Sequence, residues 1–441
     1  MENSAMSALA PDSQYIHTDK IEGVPYQLLA DKVPTPFYAY SATQIKTDFA
    51  ELKRILPQGI DYFYSLKANP NKTLVALLHQ AGTGCEVCSL VELEIALRQG
   101  VAPGDIIFVG PGKHINELTQ CCLAGIKAVV VESIEEMHLL NDIAAGLGVV
   151  QNIALRINPD FTGEKAKLVM SGKPRQFGID EQLLPQAFAV LGKLVQLRLV
   201  GIHIYLGTRI LDWQALANNT QNILALAATL QQDYGIDLDF VDVGGGFGVR
   251  YFDKEKALDL AALGEALLPV VNNYRQRFPR CKIVIELGRF LIARAGIFVT
   301  RVNYLKPSRD EWFAVCDGGA NCHGSAAGIN SLIRRNFPMA RLGPPRRNND
   351  QHRYQVTGPL CTPTDLLGEN VLLAELRSGD LIGIGHSGAY GASASPVSFL
   401  SFGHPAEVLV ENDQAFLIRA ADSVDTLLAP QVYQCLSLAH G

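Results

Sequence analysis

Residues whose side chains can do chemistry follow several short apolar runs of this sequence. Each of eight runs ends in a lysine, a carboxylate, an arginine, an aromatic residue or a glycine: Lys67, Glu86 with Ser89, Gly110, Glu132, Arg156 with Asn158, Tyr205 with Gly207 and Thr208, the glycines 244 to 246, and Glu286 with Gly288 and Arg289. Any one of them alone could be a polar cap on a strand end. Together they predict one shared site, because the carboxyl ends of barrel strands meet on one face.

The elements that would position these residues are alternating strands and helices. Amphipathic segments such as LVELEIALRQG separate the apolar runs, which begin near residues 61, 84, 106, 128, 152, 200, 240 and 282. Strand–helix alternation implies a parallel sheet, and eight such units are typical of a (β/α)8 barrel. We therefore predict an α/β fold with a TIM-like barrel over residues 45–290. A doubly wound open sheet is the alternative.

The sequence changes character near residue 290. Strand-like runs such as IFVTRVNYLK and AEVLVEND follow one another with turn residues between them, and helical periodicity fades. This pattern predicts an antiparallel β domain, which we assign to residues 1–44 and 291–441. The polar stretch RLGPPRRNNDQHR (341–353) is interpreted as an exposed loop because it contains Pro-Pro and Asn-Asn.

Composition limits the classes of function. The chain has 441 residues and a net charge of −6, and no apolar run reaches the ~18 residues that a membrane span needs. We therefore expect neither a nucleic-acid partner nor a membrane partner. The N-terminus lacks signal-peptide features, so we expect a cytoplasmic protein with reduced thiols. Cys85 and Cys88 do not predict a metal site, because positions three apart on a strand face opposite sides.

The two glycine clusters predict a phosphate site. VDVGGGFG follows the seventh run and ELGR follows the eighth, and barrels often bind a phosphate between these two loops. Glycine lets backbone N–H groups approach phosphate oxygens, and Arg289 can add charge-assisted hydrogen bonds. The run GGGFG lacks the G-x-G-x-x-G spacing, so a dinucleotide is not expected.

A lysine on the same face as a phosphate site indicates a phosphate-bearing aldehyde held as a Schiff base. Pyridoxal 5'-phosphate is the cofactor that fits. Glu286 is then the candidate acid beside the pyridine nitrogen, and Tyr205 is the candidate ring that stacks on the cofactor. Lys67 is the predicted Schiff-base residue, because partial burial and nearby positive charge help a lysine to lose its proton.

Seven motifs occur in a characteristic order between about residues 35 and 420. They are YSLKANP, GCEVCSLVEL, GIHIYLG, VDVGGGFG, IELGR, GPLCTPTD and GAYG. In this order the chain resembles the fold-type III pyridoxal-phosphate decarboxylases, the relatives of diaminopimelate, ornithine and arginine decarboxylases, which share an alanine racemase-like fold. The resemblance implies decarboxylation of an amino-acid moiety at its α-carbon, by a homodimer with shared active sites.

Site roles come with the matched motifs. Lys67 matches the Schiff-base lysine, and Glu286 matches the carboxylate on the pyridine nitrogen. Cys361 matches the cysteine that protonates the carbon after CO₂ leaves and that enters the site from the partner subunit. The further cofactor contacts that we predict are Glu86, Arg156, Tyr205, Thr208, Gly245, Gly246, Gly288, Arg289 and Tyr390, and the predicted substrate contacts are Thr362, Asp365 and Arg334.

Two departures from the family pattern concern the electronic properties of the cofactor and the choice of substrate. Tyr205 stands where the family usually has a histidine over the cofactor ring, in a pattern that begins at His203. Thr362 and Pro363 follow Cys361, where diaminopimelate and ornithine enzymes carry a carboxylate for the distal amine. A distal ammonium group would lose its partner there, at a cost in desolvation. We therefore expect a small-molecule or carrier-bound substrate with a neutral or acidic distal group.

The CTP pattern, DGGANCH (317–323) and IRRNFP (333–338) together are similar to a branch of specialised-biosynthesis decarboxylases. That branch acts on carrier-linked amino acids, as in butirosin assembly, or on citrylated siderophore intermediates, or is associated with exosortase systems. Arg334 and Arg335 would face a distal carboxylate or a phosphopantetheine phosphate, or form a solvated basic loop.

Three alternatives stay open: a diaminopimelate decarboxylase of lysine biosynthesis, an alanine-racemase-type isomerase and a non-catalytic regulator. A racemase of that type places an arginine beside the pyridine nitrogen and uses a catalytic tyrosine, so Glu286 and Cys361 argue against it. A regulator sheds cofactor residues, and this chain keeps Lys67, Arg289 and Tyr390.

Overall fold

Parallel and antiparallel strands are segregated along the chain. The computed structural model describes residues 16–163, 165–166, 168–329, 335–346 and 350–434. The chain divides into two units, Gln44–Ala293 and Met1–Thr43 with Arg294–Gly441. The first unit contains a wholly parallel barrel and the second contains a sheet that is mostly antiparallel.

Eight parallel strands of the first unit form a closed barrel within the described residues. They are β1 (Ile60–Ser65), β2 (Gly84–Val87), β3 (Ile106–Phe108), β4 (Ala128–Val131), β5 (Gln151–Asn158), β6 (Leu197–His203), β7 (Phe240–Asp242) and β8 (Lys282–Leu287). Each pairs with the next, and β8 pairs with β1 where Glu286 lies opposite Phe63. Closure removes the free edges of the sheet. The predicted (β/α)8 barrel is confirmed.

Helices precede β1 and connect the strands, and several of them begin at a side-chain cap. The helices are Ala42–Ile55, Lys72–Ala81, Leu90–Arg98, Ile115–Ala124, Ile134–Leu147, Leu184–Leu191, Trp213–Tyr234 and Leu260–Arg277. The capping side chains that accept a first-turn N–H are Asn71, Ser89, Ser133, Asp212 and Asp259. Each satisfies a backbone donor that the helix leaves without an internal partner. None of the described helices combines the length and apolar character that crossing a bilayer requires.

Alternate strand residues fill the barrel with an apolar cluster. It contains Phe63, Ile107, Val109, Ala128, Val130, Ala154, Val200, Phe240 and Val284. Two positions further toward the carboxyl end, on the same face, the buried side chain becomes ionisable: Val130 is followed by Glu132, Ala154 by Arg156, Phe240 by Asp242 and Val284 by Glu286. An apolar plug therefore lies beneath a layer of buried charged groups.

The second unit contains the predicted antiparallel domain, with two parallel pairs in it. Glu311–Cys316 pairs in parallel with Gln351–Thr357, and Ala406–Glu411 pairs in parallel with Phe37–Ser41. Its other elements are the strands Lys20–Ile21, Val24–Pro25, Gly296–Ser308, Met339–Leu342, Leu366–Ala374, Leu381–Ile384 and Gln414–Arg419, and the helices Tyr26–Lys32 and Val424–Leu428. The fold class predicted for this domain is confirmed.

Two features of the second unit differ from the sequence analysis. Phe37–Ser41, a strand that was not predicted, lies between Gly296–Ser308 and Ala406–Glu411. The interpretation of residues 341–353 as a loop is wrong at both ends. Arg341 lies in the strand Met339–Leu342, and Arg353 lies in the strand Gln351–Thr357. Cross-strand hydrogen bonds form regardless of side-chain polarity where one face of the strand meets solvent.

We predict that Ser133→Ala lowers the free energy of unfolding by about 1 kcal/mol, the usual contribution of an N-cap. Ser133 has extended backbone and accepts the N–H of Glu136 at 3.1 Å. Ser133→Gly is the matched control, because glycine at an N-cap costs only a few tenths of a kcal/mol. Urea denaturation measures both variants, and equal losses would contradict the capping role.

Candidate active site

Lys67 follows β1 on a short turn of 3-10 helix, Leu66–Ala68. Its Nζ donates to both carboxylate oxygens of Glu86, at 2.7 and 3.0 Å, and lies 5.7 Å from the centre of the Tyr205 ring. The Lys67 side chain is 39% exposed, whereas that of Glu86 is fully buried. The amine is therefore anchored by a buried acid and still accessible to a ligand.

The acid that holds Lys67 has its own support. The Sγ of Cys88 donates to Glu86 Oε1 at 3.2 Å, and the backbone N–H of Cys88 donates to Glu92 Oε2 at 2.7 Å. Burial and then the negative charge of Glu86 raise the pKa of Cys88, so it is a protonated donor. Burial raises the pKa of Glu92 to about 7. These groups fix the Glu86 carboxylate beside the lysine.

Glu286 is a buried carboxylate at the end of β8. Burial opposes its ionisation, but the neighbouring His203 and Lys67 override that effect and lower the pKa of Glu286 to about 2. Nε2 of His203 lies 3.3 Å from Glu286 Oε1. Burial, followed by the negative charge of Glu286, raises the pKa of Asp242 well above its ordinary value. The pair therefore contains one ionised acid, Glu286, and one protonated acid, Asp242.

One oxygen of Glu286 has an ion-pair neighbour but no hydrogen bond of good geometry among the described residues. Glu286 Oε1 and both ring nitrogens of His203 are buried, and the 3.3 Å approach of His203 Nε2 to that oxygen lacks hydrogen-bond geometry. Buried polar atoms are normally paired, so a ligand that brings a donor fits here, as the protonated nitrogen of a pyridine ring does. His203, Asp242 and Glu286 also offer atoms within 4.8 Å of one another, as a metal site would. The lysine that follows β1 and the close-packed glycines after β7 favour the pyridine ring.

The glycines after β7 and β8 are required by close backbone contacts. A Cβ at Gly245 would lie 1.7 Å from the carbonyl oxygen of Glu286, and a Cβ at Gly246 would lie 2.1 Å from that of Gly207. Gly246 also has φ +82°, which side chains other than glycine rarely adopt. The loop after β7 therefore packs backbone to backbone against the loop after β6 and against the end of β8, which is the type of cradle that a phosphate needs.

Cationic and aromatic groups complete the barrel end. Nη1 of Arg289 donates to the hydroxyl group of Tyr251 at 3.0 Å. Thr208 lies in the short strand Gly207–Thr208 after β6. Burial raises the pKa of the Tyr205 phenol, which keeps that ring neutral. A neutral flat ring can stack on a cofactor, as predicted for Tyr205.

Arg156 is fixed at the end of β5. Its Nη1 donates to Glu132 Oε1 at 2.9 Å, and its guanidinium lies 4.7 Å from the centre of the Phe177 ring. Glu132 also accepts the backbone N–H groups of Gly110 and Gly178, at 3.0 and 3.1 Å. Arg156 and Glu132 therefore tie together the loops after β3, β4 and β5.

The second unit contains the other predicted site residues. Cys361 is exposed, and the Oγ1 atoms of Thr362 and Thr364 lie 3.0 Å apart. Asp365 is buried, and both of its carboxylate oxygens accept backbone N–H groups. Tyr390 has φ +59° and is partly buried. Arg334 lies outside the described residues. Their predicted contacts with cofactor and substrate stay predictions.

Sequence reasoning missed the electrostatic partners of Glu286. The motifs identify His203 only as the start of a pattern and give Asp242 no role. The signal was present, because Asp242 lies two positions after the buried Phe240 and Glu286 two positions after the buried Val284. Residues at such positions share a face.

Known proteins resemble this chain over most of its length. Residues 42–293 match the family described as pyridoxal-dependent decarboxylase, pyridoxal binding domain. The chain is 36% identical over 408 residues to the L-glutamyl-[BtrI acyl-carrier protein] decarboxylase of Niallia circulans, covering 92% of this chain and 95% of the relative. It is 32% identical over 416 residues to the diaminopimelate decarboxylase of Aquifex aeolicus, covering 93% and 95%.

A solved structure of a diaminopimelate decarboxylase also resembles this chain over most of its length. The diaminopimelate decarboxylase of Helicobacter pylori, complexed with L-lysine, superposes with a TM-score of 0.83 at 29% identity, and the match covers 92% of this chain and 98% of that one. The predictions of a decarboxylase and of pyridoxal phosphate as its cofactor are confirmed by the family match. The barrel, the lysine at the end of β1, the buried acid and these similarities agree, and the chain belongs to the family of pyridoxal-dependent decarboxylases.

Proposed function

We propose that this enzyme decarboxylates an amino-acid moiety whose distal carboxyl group is joined to a carrier, such as an L-glutamyl thioester on an acyl-carrier protein. The proposal rests on the uncharged hydroxyl pair after Cys361. Thr362 Oγ1 lies 3.0 Å from Thr364 Oγ1 and also accepts the Thr364 N–H at 3.4 Å. The family resemblance leads us to expect a carboxylate at position 362 in enzymes that bind a distal amine.

The chemistry of a thioester fits this hydroxyl pair. Decarboxylation at the α-carbon requires a free α-carboxylate, so a glutamyl group on a carrier must be joined through its side-chain carboxyl. That linkage replaces a negative charge with a neutral carbonyl, which accepts a hydrogen bond from a threonine hydroxyl. A distal ammonium group would instead need an anionic partner to offset its desolvation.

The similarity to the L-glutamyl-[BtrI acyl-carrier protein] decarboxylase, 36% identical, supports this substrate class and a place in specialised biosynthesis. A second candidate is diaminopimelate decarboxylation. It is supported by relatives of that name at 30–32% identity and by the similarity to solved structures of diaminopimelate decarboxylases in complex with L-lysine. The two candidates differ in the charge of the distal group.

The side chains of the barrel have distinct tasks in this reaction. Pyridoxal phosphate, when bound, supplies the electron sink for the pair left behind by CO₂. We infer that Lys67 binds the aldehyde group, with Glu86 orienting its Nζ, and that Glu286 Oε1 accepts the pyridine N–H. Gly245 and Gly246 would hold the phosphate. Cys361 would hold the proton that is delivered to the α-carbon.

Replacing Glu286 by glutamine, which has nearly the same shape, tests whether the negative charge of Glu286 is needed for turnover. We expect Glu286→Gln to bind the cofactor but to lower kcat by on the order of 10²-fold or more, the scale of a lost electrostatic partner. Asp242→Asn is the matched control. Because the pKa of Asp242 is raised, the carboxyl is already neutral and its amide should retain most of the activity. Equal losses in the two variants would count against the ionised role of Glu286.

The substrate class is tested by mass spectrometry with a panel of candidates. The panel contains an L-glutamyl carrier thioester, a citrylated amino acid, free L-glutamate, meso-diaminopimelate, L-lysine and L-ornithine, each followed for loss of CO₂. We expect turnover of the thioester and poor turnover of the three substrates with a distal amine, which are meso-diaminopimelate, L-lysine and L-ornithine. A kcat/KM above about 10⁴ M⁻¹s⁻¹, within the ordinary enzyme range, for any of those amines would refute the proposal.

Thr362→Asp sharpens the same test. We expect it to shift the ratio of kcat/KM between meso-diaminopimelate and the thioester by about tenfold or more toward the amine, because a hydrogen bond to a charged group contributes about 1.5–3 kcal/mol. Thr364→Asp, on the same loop, is the control and should shift the ratio less.

We infer, from the family resemblance, a homodimer in which each site takes Cys361 from the partner subunit. Lys67→Ala and Cys361→Ala variants, each inactive alone, should regain about a quarter of wild-type activity when their subunits exchange. Random pairing in a two-fold dimer makes half of the dimers mixed, and each mixed dimer has one intact site. Proven exchange with no recovery would place Lys67 and Cys361 in the same chain's site.

A further inference from the structure

Asp365 is enclosed by the backbone of the second unit. Its Oδ1 accepts the N–H of Ala320 at 2.6 Å, and its Oδ2 accepts the N–H of Leu360 at 2.7 Å. Its own N–H donates to the carbonyl oxygen of Thr362 at 3.1 Å, and its carbonyl oxygen accepts the N–H of Gly358 at 3.3 Å. The residue is 3% exposed, so its carboxylate points into protein and not toward a ligand.

Two glycines make room for this carboxylate. A Cβ at Gly319 would lie 2.2 Å from Asp365 Oδ1, and a Cβ at Gly358 would lie 2.6 Å from Oδ2. A Cβ at Gly358 would also lie 2.2 Å from the Cα of Gly319. The second glycine of the DGG sequence at 317–319 and the glycine of GPLC therefore meet at Asp365. Both motifs receive an explanation that needs no ligand.

Cys361 lies between the two points that Asp365 fixes. Leu360, just before it, donates to the carboxylate, and Thr362, just after it, accepts the Asp365 N–H. Cys361 itself is exposed. The thiol is thus presented outward from a loop whose backbone is held on both sides by one buried residue.

We propose that Asp365 is a positioning residue, which fixes the Cys361 loop against Ala320 and does not contact the substrate. This inference rests on the role given to Cys361 under the proposed function. A substrate ligand at position 365 would need an accessible carboxylate oxygen, whereas here each oxygen already accepts a short hydrogen bond from backbone. Hydrogen bonds from backbone N–H to a carboxylate are of the stronger, charge-assisted kind.

The test uses two substitutions and one control in the full-length enzyme. We expect Asp365→Ala to lower kcat by about 10²-fold, the effect of misplacing a reactive group by about 1 Å, with KM little changed. Asp365→Asn keeps one oxygen acceptor, so its loss should be smaller. Glu407→Gln is the control, because Glu407 is a buried acid of the same unit that accepts the Tyr40 hydroxyl at 2.6 Å. It should lower Tm without changing kcat.

A second readout needs no substrate. Alkylation of Cys361 by iodoacetamide, located by peptide mass spectrometry over a range of pH, reports the environment of the thiol. We expect its rate and pH profile to change in Asp365→Ala and Asp365→Asn but not in Glu407→Gln. If the thioester is not a substrate, this readout still tests the positioning role, so the two proposals can fail separately.

Several results would overturn the inference. One is a folded Asp365→Ala variant in which kcat and the alkylation of Cys361 are the same as in the wild type. Another is an Asp365→Ala variant in which only KM rises, because that would indicate a substrate contact. If neither Asp365→Ala nor Asp365→Asn folds, backbone hydrogen exchange of the wild-type enzyme tests whether Asp365 anchors the loop. Rapid exchange of the Leu360 and Ala320 amides would refute the anchoring, and protection of both amides would support it.

Discussion

A buried negative charge on Glu286 is the constraint on which this site depends. Removing a carboxylate from water costs several kcal/mol unless partners offset the loss. Here the neighbouring His203 and Lys67 favour the ionised form, and Asp242 accommodates the charge by remaining protonated. The apolar plug beneath these groups makes their surroundings less polar than water, and electrostatic effects are stronger in such surroundings.

The same carboxylate is linked to the glycine loops through its own backbone. The carbonyl oxygen of Glu286 occupies the space that a side chain at Gly245 would need. Its backbone N–H donates to the carbonyl oxygen of Gly244 at 2.9 Å. The predicted partner of the pyridine nitrogen and the predicted phosphate cradle are thus held in one rigid piece of structure, so the spacing between them is set by covalent geometry and backbone packing.

The sequence predicted the fold class well and the connections between side chains poorly. The barrel strands are apolar runs with helices between them, a pattern that local sequence reveals. Phe37–Ser41 was missed because its partners, Gly296–Ser308 and Ala406–Glu411, lie far along the chain. The contact of Lys67 with Glu86 and the proximity of His203 to Glu286 depend on which side chains converge in space, and periodicity alone does not give those distances.

Closure of the barrel also sets an order of events during synthesis. Lys67 and Glu86 are translated early, but Glu286 joins them only when β8 pairs with β1. Contacts of such high sequence separation form slowly because a long loop must be ordered first. A nascent chain therefore contains Lys67 and Glu86 well before β8 brings Glu286 beside them. Since a ligand that binds only the closed barrel stabilises that state by mass action, bound pyridoxal phosphate would favour the barrel in which Glu286 has joined Lys67 and Glu86.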